Sequence, residues 1–171
     1  MQLRGYADAS YASHINGKSQ YTACFDIVDA AVTPISDPLT RAFKIGMFYF
    51  RTWMAPTVDL NTCEAELGSY TELVKDGIYF RGMLDDMHLP QLQPTPMGND
   101  NEAAQSLTTA FSGKTKRVRY MLPKIHWLIE KFMAGVFKFI HMSSAELPAD
   151  FGTKRTSGTA FVEGRARTMG L

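Results

Sequence analysis

Four acidic residues of this chain have the type and placement to hold hard divalent cations: Asp8, Glu66, Asp100 and Asp150. The chain carries seventeen Asp and Glu, so residue type alone singles out none of them. Placement does. Asp8, Glu66 and Asp100 fall where an expected strand or helix starts or stops, and Asp150 falls in the expected last helix. Ends of adjacent strands and a neighbouring helix terminus can meet at one edge of a sheet. Carboxylates gathered there suit Mg²⁺, which takes one or two carboxylates and keeps its waters and the phosphate oxygens of a substrate. Two such ions about 3.5–4 Å apart activate water and stabilise the leaving oxygen in phosphodiester hydrolysis. Other chemistries find less support. Cys24 and Cys63 are too few for a zinc site or a disulfide framework. No Gly-rich phosphate loop and no nucleophilic triad stands out. His14, His88 and His126 lack metal-ligand spacing. His141 ends an expected strand nine residues before Asp150, where an imidazole could carry protons near neutral pH.

The elements that must position these acids read as a mixed α/β order. Leu3 to Ala7 forms a short strand ending at Asp8, and Gly17-Lys18 marks a turn. Residues 21–28 alternate as a half-buried strand, residues 33–44 form a loop, and Ile45 to Trp53 is a third strand. A helix runs from an N-cap at Thr62 to about Leu84; Ala65 three residues on means that the capping box is absent. Its apolar face is Tyr70, Leu73, Gly77, Phe80 and Leu84, broadened by Leu67, Val74 and Ile78. On this register Glu66 joins the apolar face, whereas Glu64 continues to the polar one through Gly68, Thr71 and Lys75. An extended linker from Pro90 to Pro96 overlaps a short strand, Thr95 to Asn99, which ends at Asp100. A short helix follows from Asn101 to Phe111, then a basic loop from Gly113 to Arg119. Pro123 opens a helix that Gly135 ends, and Val136 to Met142 is a buried strand. A last helix starts near Ala145. Phe132, Met133, Phe137 and Phe139 are assigned to the core.

With 171 residues and an ordinary globular composition, the chain suits one core. Residues 1–152 are expected to form the domain and residues 153–171 a partly ordered tail. No apolar run is long enough for a membrane span, no secretion signal is visible, and the cysteine content fits a reducing, intracellular compartment. The net charge of +1 conceals an asymmetry. Residues 111–171 carry eleven Lys and Arg against four Asp and Glu, a net of +7; residues 1–110 carry seven against thirteen, a net of −6. A basic half of this kind points to a polyanion partner.

Five segments in order then resemble the motifs of copia-type ribonuclease H domains of LTR retrotransposons. Gly5-Tyr6-Ala7-Asp8-Ala9-Ser10-Tyr11-Ala12 looks like that family's YADASYA, and Thr62-Cys63-Glu64-Ala65-Glu66-Leu67 like its STEAEL. Asp100-Asn101-Glu102-Ala103-Ala104 resembles DNQSAI, Lys114-Thr115-Lys116-Arg117-Val118 resembles RTKHI, and Leu147 to Lys154 resembles LADxLTK. The third strand departs from the family, with Thr52-Trp53-Met54-Ala55 in place of a lysine-bearing stretch.

The resemblance implies a ribonuclease H-like fold, with a central mixed five-stranded sheet in the order β-β-β-α-β-α-β-α, flanked by helices. It implies an endonuclease that hydrolyses the RNA strand of RNA–DNA hybrids with two Mg²⁺ ions, Mn²⁺ substituting. Asp8, Glu66, Asp100 and Asp150 would be the catalytic metal ligands, with His141 assisting. Asn61, Thr62, Asn101, Lys116 and Arg117 would contact the nucleic acid. The implied partners are the hybrid and a reverse transcriptase domain in a parent polyprotein, in the cytoplasm within a virus-like particle or in the nucleus. The alternative is a catalytically inactive or domesticated module that keeps the fold and binds nucleic acid or a protein. A related integrase or resolvase is a more distant reading.

Overall fold

The computed structural model describes residues 1–28, 46–101, 120–154 and 157–170. The first two strands form a long hairpin: β1 (Gln2–Ser10) pairs antiparallel with β2 (Gln20–Val28), from Gln2 opposite Val28 to Ser10 opposite Gln20. The outer strand β3 (Tyr49–Met54) runs antiparallel to β2. On the other side of β1, β4 (Thr95–Asn99) and β5 (Phe137–His141) add in parallel. The sheet order is β3-β2-β1-β4-β5, so β1 is central and both its faces are covered.

That central position explains two departures from the expected pattern. β1 does not stop at Asp8 but continues to Ser10, because β2 offers it partners along its whole length. β2 is not half-buried: Thr22, Cys24 and Asp26 are buried on one face as Ala23 and Phe25 are on the other. The third strand begins at Tyr49 rather than at Ile45 and ends at Met54. Residues 29–45 and 102–119 lie outside the described residues, and with them the expected loop 33–44, the body of the expected helix Asn101–Phe111, and the basic loop with Lys116 and Arg117.

The long helix α1 (Thr62–Asp86) crosses one face of the sheet. Leu67, Tyr70, Leu73 and Val74 bury against Leu3, Ala7, Ala23, Phe25 and Met97, with Ile78 and Phe80 at the rim. The N-cap is Asn61 rather than Thr62: its side-chain oxygen accepts the Glu64 N–H at 2.9 Å. Glu64 is then three residues past the cap, and its carboxylate accepts the Leu60 N–H at 2.7 Å, so the acid at this position does serve the helix start. The face of Glu64 is also less polar in setting than expected, since Gly68 and Thr71 are buried. Gly68 is required there, because a Cβ would overlap the Tyr21 hydroxyl. The close approach lets the first turns of α1 lie directly on β2.

The next helix, α2 (Leu122–Met133), has Pro123 in its first turn and packs Ile125 and Leu128 into the same core. Gly135 follows its end with a positive φ of 68°. Met133 is 77% exposed and is not a core residue; the stripe that includes Ile125 and Leu128 turns it outward.

No helix starts at Ala145. Residues 144–149 form turns anchored on the Ser143 carbonyl, and the short α3 (Asp150–Thr153) begins after Pro148. A proline lacks the N–H a helix interior needs and disfavours helical backbone before it. Residues 158–169, expected as tail, form a helix, α4 (Gly158–Met169). Two contacts fix α4: the Met47 N–H donates to the Thr168 carbonyl at 2.8 Å, and Gly164 sits flat against the Phe151 ring. Leu147 and Ala149 close the second face of the sheet over Tyr6 and Cys24. Among the described residues, no helix is long and apolar enough to cross a membrane.

Candidate metal centre

Three of the four acids converge. Asp8 comes from β1, Glu66 from the second turn of α1, and Asp100 from the residue after β4. The parallel register that sets Tyr6 against Gly98 leads, two residues on, to Asp8 and Asp100. One carboxylate oxygen from each of Asp8, Glu66 and Asp100 lies within 4.8 Å of the others. Asp150, the first residue of α3, stands outside this trio but close enough for its charge to act on Asp8. Gly152 lets α3 reach that position, since a Cβ there would overlap Thr22, the β2 residue paired with Asp8.

The cluster is electrostatically unbalanced. Asp8 and Glu66 are each only 5% exposed. Burial raises the Asp8 carboxyl from 3.8 to about 6; the Thr153 hydroxyl bonded to it acts the other way, the charges of Asp100 and Asp150 add to the rise, and the nearby Lys154 opposes it. Burial likewise raises Glu66 from 4.5 to about 8, followed by repulsion from Asp8, with the Asn99 amide opposing. Two buried acids that repel one another are costly as anions unless a cation joins them. Three hard oxygen donors of this kind match a small divalent cation by number and chemistry.

Each carboxylate is held from behind. The Thr153 hydroxyl donates to Asp8, and the Ser144 hydroxyl donates to Asp100 at 2.5 Å. Asn99, fully buried at the end of β4, donates its amide to Glu66 at 3.1 Å and to the Ala7 carbonyl at 3.2 Å; its oxygen accepts the Asn101 N–H at 2.7 Å. One side chain therefore ties the strand of Asp8, the helix of Glu66 and the chain after Asp100. The sequence reading missed Asn99. The only signal was an amide ending a short strand directly before an acid. Asp150 pairs with Lys154 at 2.5 Å.

The remaining expected residues are placed as follows. His141 is exposed at the end of β5 and pairs with Asn99 across the sheet. Asn101 is half-buried behind Asp100, Asn61 caps α1, and Thr62 is exposed in its first turn. Lys116 and Arg117 lie outside the described residues.

Structural comparison places this arrangement among known folds. The chain superposes on LC11 ribonuclease H1, solved in complex with an RNA/DNA hybrid, with a TM-score of 0.57 over 88% of this chain and 93% of that one, at 10% identity. It superposes on ribonuclease H1 from the halophilic archaeon Halobacterium salinarum NRC-1 with a TM-score of 0.52 over 85% and 88% of the two chains, at 13% identity. The fold is that of ribonuclease H. Within it, the acid trio sits at the carboxyl-terminal edge of the neighbouring parallel strands β1 and β4, where α1 begins. No protein-family model matches the chain. In sequence it is 26% identical over 155 residues to the retrovirus-related Pol polyprotein from transposon TNT 1-94 of Nicotiana tabacum. The match takes in 89% of this chain and spans 10% of that polyprotein's length. The ribonuclease H-like sheet and this match agree with the resemblance carried by the five motifs.

Proposed function

We propose that the chain is an endonuclease that hydrolyses the RNA strand of RNA–DNA hybrids, as the ribonuclease H module of a retrotransposon polyprotein. The observation that carries this reading is the convergence of Asp8, Glu66 and Asp100 from three separate elements to within 4.8 Å. In the proposal these three hold one divalent ion, Mg²⁺ or Mn²⁺, and Asp8 with Asp150 serves a second. When bound, the ions would supply Lewis acidity toward the scissile phosphate and neutralise the charge that develops on the leaving oxygen as water attacks phosphorus. The chain's own groups do the rest. Asn99 holds the Glu66 carboxylate, and Thr153 and Ser144 hold Asp8 and Asp100. His141, exposed beside the end of β4, carries protons to or from the cleaved strand. Asn61 and Thr62, at the start of α1, and Asn101, next to Asp100, meet the hybrid's sugar-phosphate path in this reading, where 2′-hydroxyls tell RNA from DNA. Lys116 and Arg117 bind phosphates of the DNA strand.

The test is incubation of the chain with a labelled RNA–DNA hybrid, with and without Mg²⁺, beside double-stranded RNA and DNA of the same sequence. The expected result is Mg²⁺-dependent cutting of the hybrid's RNA strand alone, lost in Asp100→Asn with binding of the hybrid retained. Absence of cutting in Mg²⁺ and Mn²⁺, with hybrid binding intact, would leave a binding module in its place.

A further inference from the structure

Asp150 differs from the other three acids in having a cation of its own. Lys154, one helical turn on, reaches its Oδ1 at 2.5 Å. The trio of Asp8, Glu66 and Asp100 forms without Asp150. The lysine side chain is 56% exposed, so it is not locked by packing. Beside the pair a groove of about 240 Å³ opens between α3 and α4, and Lys154 lines it together with Glu163. A lysine that let go of Asp150 would therefore have both open space and a second carboxylate in the same groove.

We propose that Lys154 is a built-in counter-cation for Asp150, a positioning residue that must release this carboxylate before it can serve a second divalent ion. The inference rests on the metal-centre reading above and goes beyond it, because it ranks the two ion sites. The trio's carboxylates are bonded by the neutral side chains of Asn99, Ser144 and Thr153 and feel Lys154 only through space, so they take the first ion directly. The second ion's affinity includes the cost of parting Lys154 from Asp150. An ammonium is a compact point charge that can leave and return without a fixed geometry, whereas a guanidinium would hold the carboxylate with two bonds.

The test is Mn²⁺ titration of the full chain without nucleic acid, followed by calorimetry and by the electron paramagnetic resonance of free Mn²⁺. Wild-type protein should show a tighter and a weaker class of site. Lys154→Gln should strengthen the weaker class by about threefold or more, the scale of a partly exposed ion pair, and Lys154→Arg should weaken it. In an Asp150→Asn background, Lys154→Gln should change the remaining class by clearly less, since the larger coupling belongs to the pair. An unchanged weaker class in Lys154→Gln would overturn the inference. So would a strengthening of the same size in the Asp150→Asn background, which would mean a diffuse field effect. Wild-type protein that binds no Mn²⁺ at a site sensitive to Asp100→Asn would instead remove the metal centre itself.

Discussion

The central strand carries two buried charges on one face, and the fold treats them in opposite ways. Arg4 and Asp8 are four residues apart on β1. Arg4 is paired at 2.5 Å with Asp26 of β2, donates a second bond at 2.8 Å, and has the Tyr6 hydroxyl against the same carboxylate. Desolvation works against this guanidinium, yet the Asp26 bond and charge together hold it firmly protonated. Asp8 receives one hydroxyl bond and faces further acids. A charge kept for structure is compensated inside the chain. A buried charge left short of partners near the end of that strand needs compensation from outside, and the donor set suits a divalent cation.

The contrast can be broken at either end. The largest expected effect on folding is at the compensated pair. Arg4→Met strands the Asp26 carboxylate and should cost about 3–5 kcal/mol in urea unfolding at pH 7, whereas Arg4→Met with Asp26→Leu should recover most of that. A single variant as stable as wild type would mean that the pair is not structural. Next, Asn99→Ala frees Glu66 and removes the tie to Ala7. Cleavage of hybrid should fall by about 10–100-fold, the usual scale for a residue that orients a metal ligand, with a loss of Mg²⁺ affinity in calorimetry. Unchanged Mg²⁺ affinity would reduce Asn99 to a strand cap.

The smallest effect is on thermal stability and has the opposite sign. Asp8→Asn should raise the melting temperature of metal-free protein by a few degrees, at about 2–4 °C per kcal/mol for a chain of this size. It should also abolish the rise that Mg²⁺ gives to wild type. The pH dependence follows from the direction of the shifts. Asp8 and Glu66 bind protons more readily folded than unfolded, about 6 against 3.8 and about 8 against 4.5. Their contribution to metal-free stability is therefore greatest below about pH 4 and is lost as pH rises toward 8. The Mg²⁺-induced rise should be large at pH 8 and small at pH 5. Equal rises at both pH values would place the ion elsewhere.

Much of this was legible in the sequence, and the exceptions have physical causes. The buried face of α1 could be read because Leu67, Tyr70, Leu73 and Gly77 repeat at helical spacing, and Glu66 belongs to that face. β4 was placed at its observed residues, since Pro94 before it and Asp100 after it bound it tightly. Asn61 was displaced as the cap by its neighbour Thr62 because both are good caps and only backbone geometry separates them. α4 was hidden because Gly158, Thr159, Gly164 and Thr168 are poor helix formers; tertiary contacts to Met47 and Phe151 hold it. Asn99 escaped because its role exists only where β1, α1 and β4 meet.

The most direct test compares the two glutamates of the α1 amino terminus. Glu66 lies in the acid trio, whereas Glu64, two residues away, accepts the Leu60 N–H and the Tyr120 hydroxyl at 2.9 Å. The measurement is the Mg²⁺-dependent rate of RNA cleavage in a labelled RNA–DNA hybrid by Glu66→Gln and Glu64→Gln, each checked for folding. Glu66→Gln should fall to the rate seen without metal, and Glu64→Gln should keep most of its activity while losing about 1 kcal/mol of stability at the helix start. A Glu66→Gln protein that cuts as wild type does, or the reverse ranking of the two, would contradict the metal centre described here.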